Sequence, residues 1–202
     1  MKFRLLPFAA IAFAFGSPAA LALKVVAHQA QQTPTATVNV RKGMTWGVGA
    51  RVSADPDIVF VSCQGQPKID GHGCEAYHGD TTCSAKRPVL CLAIDGRVRP
   101  DGIATPPSGG VMSAGFYSGW ARGRIALAPD VRGDAFQRRS DADAYCAAKL
   151  GAGWRVAEHH DGVSANGAHG GWGLVANGHV RAGARFWAAI NDTEANCWDP
   201  SR

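Results

Sequence analysis

The stretch 140–162, SDADAYCAAKLGAGWRVAEHHDG, decides how this chain is read. Its first half is the clearest helix in the sequence. The Ser140 hydroxyl is placed to cap a first turn, Asp143 three residues on completes a capping-box pattern, and Asp141 and Asp143 sit at the positive end of the dipole. Ala142, Tyr145, Cys146, Lys149 and Leu150 follow helical spacing, and Gly151 supplies the stop. Cys146 is thereby expected on the buried stripe beside Tyr145, as a covalent staple from the helix to the C-terminus requires. Downstream, residues 172–176 and 184–190 read as strands, separated by Asn177-Gly178, a hairpin turn signal. Upstream, PVLCLAI at 88–94 is a continuous apolar run ended by Asp95-Gly96 and is expected to be a buried central strand. Residues 37–40 and 58–62 are rich in β-branched side chains and read as strands. Residues 63–83 and 97–110 read as loops, and 111–120 as a short strand that Gly119 and Gly123 then break.

The N-terminus places Lys2 and Arg4 ahead of an apolar stretch at 5–15 and the small residues of 16–22, the layout of a secretory signal cleaved after Ala20 or Ala22. A membrane association is expected only through this segment if it stays uncleaved. The expected organisation is a signal over 1–22, a leader and β-rich, cysteine-containing extension over 23–82, and a main domain over 83–202. The chain carries 21 basic and 16 acidic residues. Removing Lys2 and Arg4 leaves 19 basic residues, an excess of three, and the cluster Arg132, Arg138 and Arg139 is interrupted by Asp134 and lacks interleaved aromatics. Nucleic-acid binding is therefore not expected. All six cysteines lie beyond the signal, and an even count in a secreted or periplasmic chain points to disulfides. The expected pairs are Cys146 with Cys197, Cys83 with Cys91 and Cys63 with Cys74. A zinc site drawn from His72, Cys74, His78 and Cys83 is the rival use of these residues; the oxidising compartment disfavours it.

With these residues in place, four pieces, CSAKRPVLCL (83–92), AGFYSGWARGRI (114–125), SDADAYCAAKLGAGWRVAE (140–158) and RFWAAIND (185–192) followed by Cys197, resemble the C-type lectin-like fold, notably its bacterial and endostatin-like branches. The helix leading into Gly-Trp-Arg also resembles that of formylglycine-generating enzymes, with Val156-Ala157 in place of Leu-Pro. The resemblance implies an α+β fold, a disulfide-stapled lectin-like domain with two helices against twisted sheets and the β-rich extension before it. It also implies a long loop region that binds sugars or proteins. The calcium motif of that family, Glu-Pro-Asn or Gln-Pro-Asp, is missing, and Ile190 stands where a Trp would precede Asn191-Asp192, so no calcium site is carried over.

The densest polar cluster is Glu158, His159, His160 and Asp161, followed by His169 and then Asn191, Asp192 and Glu194. Imidazoles with carboxylates suit zinc, and clustered oxygens suit calcium. The spacing is not His-Glu-x-x-His, and adjacent histidines on a helix diverge. No cofactor is expected; zinc or calcium are the ions this cluster would take. No nucleophile elbow occurs, since 162–166 lacks the second glycine. Of the tryptophans Trp154, Trp172, Trp187 and Trp198, most should be core. Trp172, flanked by glycines, is the candidate for an exposed ligand-stacking ring. The expected function is a secreted, non-catalytic recognition or envelope-associated module for a cell-surface glycan or protein, binding through residues 158–172 with Asn191, Asp192 and Glu194. A periplasmic metal-dependent hydrolase using His159 or His160 with Glu158 and Asp161 is the alternative from a different class. A purely structural secreted domain is the third.

Overall fold

The computed structural model describes residues 40–63, 74–105 and 112–199. The signal read over 1–22, the leader and most of the strand read at 37–40 lie outside these residues. Among the described residues the chain is mostly β. The strands are β1 (Lys42–Gly43), β2 (Thr45–Val48), β3 (Ile58–Ser62), β4 (Thr81–Thr82), β5 (Lys86–Ile94), β6 (Gly119–Arg132), β7 (Arg155–Val156), β8 (Gly173–Gly178) and β9 (Arg185–Trp187). Helix is confined to the four-residue α1 (Ala114–Tyr117) and the twelve-residue α2 (Arg139–Leu150), with a short 3-10 turn at Gly133–Ala135. The α+β class expected from the sequence is therefore corrected: among the described residues the architecture is mostly β, with two short helices.

Six strands close on themselves in the order β6-β8-β3-β2-β9-β5, with β5 returning to β6, and β7 pairs with β5 on the same edge as β9. Closure removes the unpaired edges that an open sheet exposes. The alternation of side chains explains how the sequence supports it. Trp46, Val61, Leu90, Leu92, Ile125, Leu174, Ala176 and Phe186 point inward and form the barrel core. Their neighbours Val89, Cys91, Ala128 and Trp187 point outward against α2, where Ala142 and Cys146 meet them. On another outer face Ile58, Phe60, Trp120 and Val175 form a smaller cluster with Val52 and the half-buried Ile103. β2 and β3, which fall within the stretch read as an extension, supply two of the six barrel strands.

Several local expectations change for identifiable reasons. β6 runs through both glycines read as breaks. A Cβ at Gly119 would lie 2.4 Å from the Gly162 and Val163 backbone, and one at Gly123 would lie 2.2 Å from the Ala93 carbonyl oxygen. Both glycines thus permit close backbone approach. Asn177-Gly178 makes no hairpin: it ends β8, and β8 and β9 are separated in the sheet by β3 and β2. Helix α2 starts one residue before Ser140. Its first turn is closed by the Asp141 carboxylate, which accepts the Arg138 N–H at 3.0 Å and the Gln137 N–H at 3.2 Å. Asp143 instead accepts the Val156 N–H at 2.9 Å, tying the helix to β7. Gly151 ends the helix as expected, its N–H donating to the Ala147 carbonyl at φ +109°.

The cysteines pair as Cys63–Cys74, Cys83–Cys197 and Cys91–Cys146. The first is the pair expected; the Cys146–Cys197 and Cys83–Cys91 expectations are corrected. The cause is the alternation of β5, which turns Cys91 outward onto the helix, where Cys146 sits fully buried opposite it. Cys197 is left to meet Cys83 at the entry to the same strand. A chain-entropy estimate gives each of these two long-range bridges about 4–5 kcal/mol. Because Cys74 and Cys83 are both bridged, the zinc set drawn through them has no thiolates to offer.

A buried ionic network fastens the segment before β4 to the barrel wall. Asp80 and Arg185 have side chains only 2% and 6% exposed and meet at 2.8 Å. Asp80 also accepts the Thr45 N–H at 3.0 Å, the Glu75 N–H at 3.1 Å and the Thr81 hydroxyl at 2.6 Å, and contacts the Thr45 hydroxyl. Arg185 donates to the Thr45 hydroxyl and carbonyl. Removing one partner of such a pair strands the other charge, at a cost of about 3–5 kcal/mol. Asp80→Ala is accordingly expected to lower unfolding free energy by that amount in a denaturant titration. A non-reducing peptide map should recover Cys83 linked to Cys197 and Cys91 linked to Cys146; a fragment joining Cys146 to Cys197 would refute this topology.

Candidate functional site

One end of the barrel gathers most of the polar residues singled out from the sequence. β7 leads into residues 157–161, which lie alongside the segment after β9: the Ala157 carbonyl accepts the Ala189 N–H at 2.8 Å, and the Ala189 carbonyl accepts the His159 N–H at 2.9 Å. This pairing brings Glu158 and His160 close to Asp192. The loop 74–80, held by the Asp80 network, adjoins them through the Thr193 hydroxyl, which donates to the Ala76 carbonyl at 2.6 Å.

His159 is the pillar of the site. It is 4% exposed, and its ring stands edge-on to Trp46 in the barrel core, to Trp172 and to His160, at centroid distances of 5.8, 5.3 and 4.8 Å. Its Nε2 accepts the Trp172 N–H at 3.0 Å, which places the ring hydrogen on Nδ1. Burial first, and the adjacent His160 second, push its pKa down to about 4, with Asp192 acting weakly in the opposite sense. A neutral imidazole is what this bond needs, since only an unprotonated Nε2 accepts. The bond supports Trp172 in a left-handed backbone conformation, φ +70°, which is costly for a bulky residue.

Trp172 is half-buried, and its ring stands edge-on to Tyr77 at 5.8 Å; Tyr77 is 56% exposed. Beside this aromatic pair runs a polar chain. The Glu158 carboxylate, 8% exposed, accepts the His160 N–H at 2.8 Å and lies 3.1 Å from His160 Nδ1, while His160 Nε2 faces Asp192 at 3.5 Å. His169 Nδ1 lies 3.0 Å from the His160 carbonyl oxygen. Asp161 turns away from this array: its carboxylate takes the Glu158 N–H at 2.6 Å and is paired bidentately with Arg155. Burial alone would lower the Arg155 pKa; the Asp161 carboxylate more than offsets it, and the net direction is upward. Asn191 also turns aside, accepting from Arg139 at 2.9 Å. Glu194 is exposed on the neighbouring loop.

The structure therefore brings Glu158 and Asp192 to His160, links Trp172 to His160 through the buried His159, and assigns Asp161 and Asn191 to holding neighbouring segments. Among the described residues no three His, Cys, Asp or Glu side chains converge as a metal-ligand set. The Ser164 hydroxyl lies within hydrogen-bond distance of Asn166 Oδ1 and the Ala168 carbonyl, and the Thr193 hydroxyl donates to the Ala76 carbonyl. What the surface offers is an aromatic face beside hydrogen-bonding groups. Tyr77 was missed because it joins the site only through the fold, in a loop some 80 residues before His159. His159, offered by the sequence only as one of two histidines for the alternative metal-dependent hydrolase, is buried here and supports Trp172.

Unfolded His159 binds its proton near pH 6.5 and the folded one only near 4, so stability is complete above about pH 6.5 and is lost as pH falls towards 4. The loss amounts to about 3 kcal/mol for a shift of this size. His159→Gln should flatten that portion of the stability–pH curve relative to the unaltered protein, measured by chemical denaturation at pH 4 to 7.

Comparison with protein families, with curated proteins and with solved structures yields no match to this chain.

Proposed function

We propose that this chain is a non-catalytic recognition module of an oxidising compartment, secreted or periplasmic, and that it binds glycans on the surface formed by Tyr77 and Trp172 with His160 and Asp192. The observation that carries this reading is the partly exposed aromatic pair set against a carboxylate and an imidazole. A sugar ring presents an apolar face that stacks on aromatic rings and hydroxyls that a carboxylate or imidazole can bond. Preorganisation supports it: Trp172 is held from beneath by His159 and the Tyr77 loop is anchored by Asp80, so little ordering cost is left for the binding step. The compartment is supported by three disulfides that use all six cysteines. Among the described residues no helix is long and apolar enough to cross a membrane.

The test is an oligosaccharide array followed by titration of the best ligand. Tyr77→Ala changes an exposed side chain, and it should weaken binding about tenfold, equivalent to about 1.4 kcal/mol, at unchanged melting temperature. Asp192→Asn should change the preference among glycans. Equal affinity of the unaltered protein and Tyr77→Ala would refute the surface.

A further inference from the structure

The opposite end of the barrel carries a second feature, a groove of about 690 Å3. That volume falls within the range of small-molecule sites, roughly 300–1,000 Å3. Its walls are the connection 49–57, between β2 and β3, and the connection 179–184, between β8 and β9. The second must cross this end of the barrel because β8 and β9 are not neighbours in the sheet. The floor is apolar, formed by Val48, Val59, Phe60 and Val180; the three valines are half-buried and pack onto the barrel core. Gly49 keeps the Phe60 ring in place, since a Cβ there would meet the ring at 2.3 Å.

The groove is also charged. Arg51 and Arg181 both line it. Arg51 donates from Nε and Nη2 to the Ser53 and Ala54 carbonyls, both at 2.8 Å, which fixes the guanidinium; among the described residues Nη1 takes no partner. Arg181 opens a turn closed by the Ala184 N–H, with Gly183 at φ +77°. Two acidic groups lie nearby. Asp55 lines the groove and accepts the Asp57 N–H, and Asp57 is paired with His179 at 3.1 Å; among the described residues neither is ion-paired with Arg51 or Arg181. An apolar floor beside two guanidiniums that, among the described residues, have no carboxylate partner complements a ligand with an aliphatic body and an anionic head, with one positive charge left over after Asp55.

We propose that this groove is a binding site for a small carboxylate amphiphile, its chain against Val48, Val59, Phe60 and Val180 and its carboxylate taken by Arg51 and Arg181. The site is separate from the glycan surface and does not depend on it. The test uses decanoate, with 1-decanol as the chain without the charge and acetate as the charge without the chain, in calorimetric titrations and amide chemical-shift mapping. Decanoate should bind saturably at one site, with shifts concentrated in residues 48–60 and 178–182. Decanol and acetate should bind at least tenfold more weakly, and Arg181→Glu, an exposed change, should weaken decanoate at least tenfold at unchanged melting temperature. Absence of saturable decanoate binding, shifts located elsewhere, or equal affinity in Arg181→Glu would overturn the proposal; decanol binding as tightly as decanoate would overturn its anionic character.

Discussion

Everything in this molecule depends on how β5 shares its two edges. One edge runs along most of β6, and the other takes β9 at Val89 and β7 at Cys91 and Leu92. Its side chains divide the same way, Leu90 and Leu92 into the barrel, Val89 and Cys91 onto the helix. A single run of apolar residues therefore closes the ring and supplies the anchor for the helix. Few strands can do both, because the outer face of an ordinary barrel strand is polar. Here both faces are covered, so the run has no alternation of polarity at all.

The two barrel ends are built by different means. Near Trp172 the surface is made rigid from below: His159 joins the core tryptophan to the strained backbone of Trp172, and Asp80 ties the Tyr77 loop to β2 and β9. The other end is shaped by topology. The connection after β8 has to pass over the β2–β3 hairpin before it reaches β9, and the space between those two segments is the groove.

Part of this was legible in the residues. The apolar run at 88–94, the strand at 58–62, the helix stop at Gly151 and the pairing of Cys63 with Cys74 all follow from local pattern, and local pattern carries them. The class of the fold does not, because one strongly marked helix outweighs strands whose signals are weak. β6 is the main case: its glycines look like punctuation until the backbones pressed against them are known. The two long-range disulfides were misassigned for a similar reason, since only the register of β5 says that Cys91, not Cys197, faces the helix. At the site, Glu158, His160 and Asp192 stood out by composition. Tyr77 could not, because what places it there is a buried ion pair between Asp80 and Arg185, 105 positions apart.

The Cys83–Cys197 bridge also orders events in time. A chain made from its N-terminus exposes Cys83, Cys91 and Cys146 well before Cys197, which follows Cys83 by 114 positions. Cys146 can claim Cys91 as soon as the helix docks on β5, but Cys83 must stay reduced, or exchange out of a wrong partner, until the last strand has been delivered. Cys197 lies ten residues past the end of β9, the strand that joins β2 to β5, so this oxidation can only follow synthesis of the segment that closes the ring. Until then the half-made wall of β5 has an open edge beside an unpaired thiol, and the chain at that stage depends on its surroundings for both redox exchange and protection from other chains.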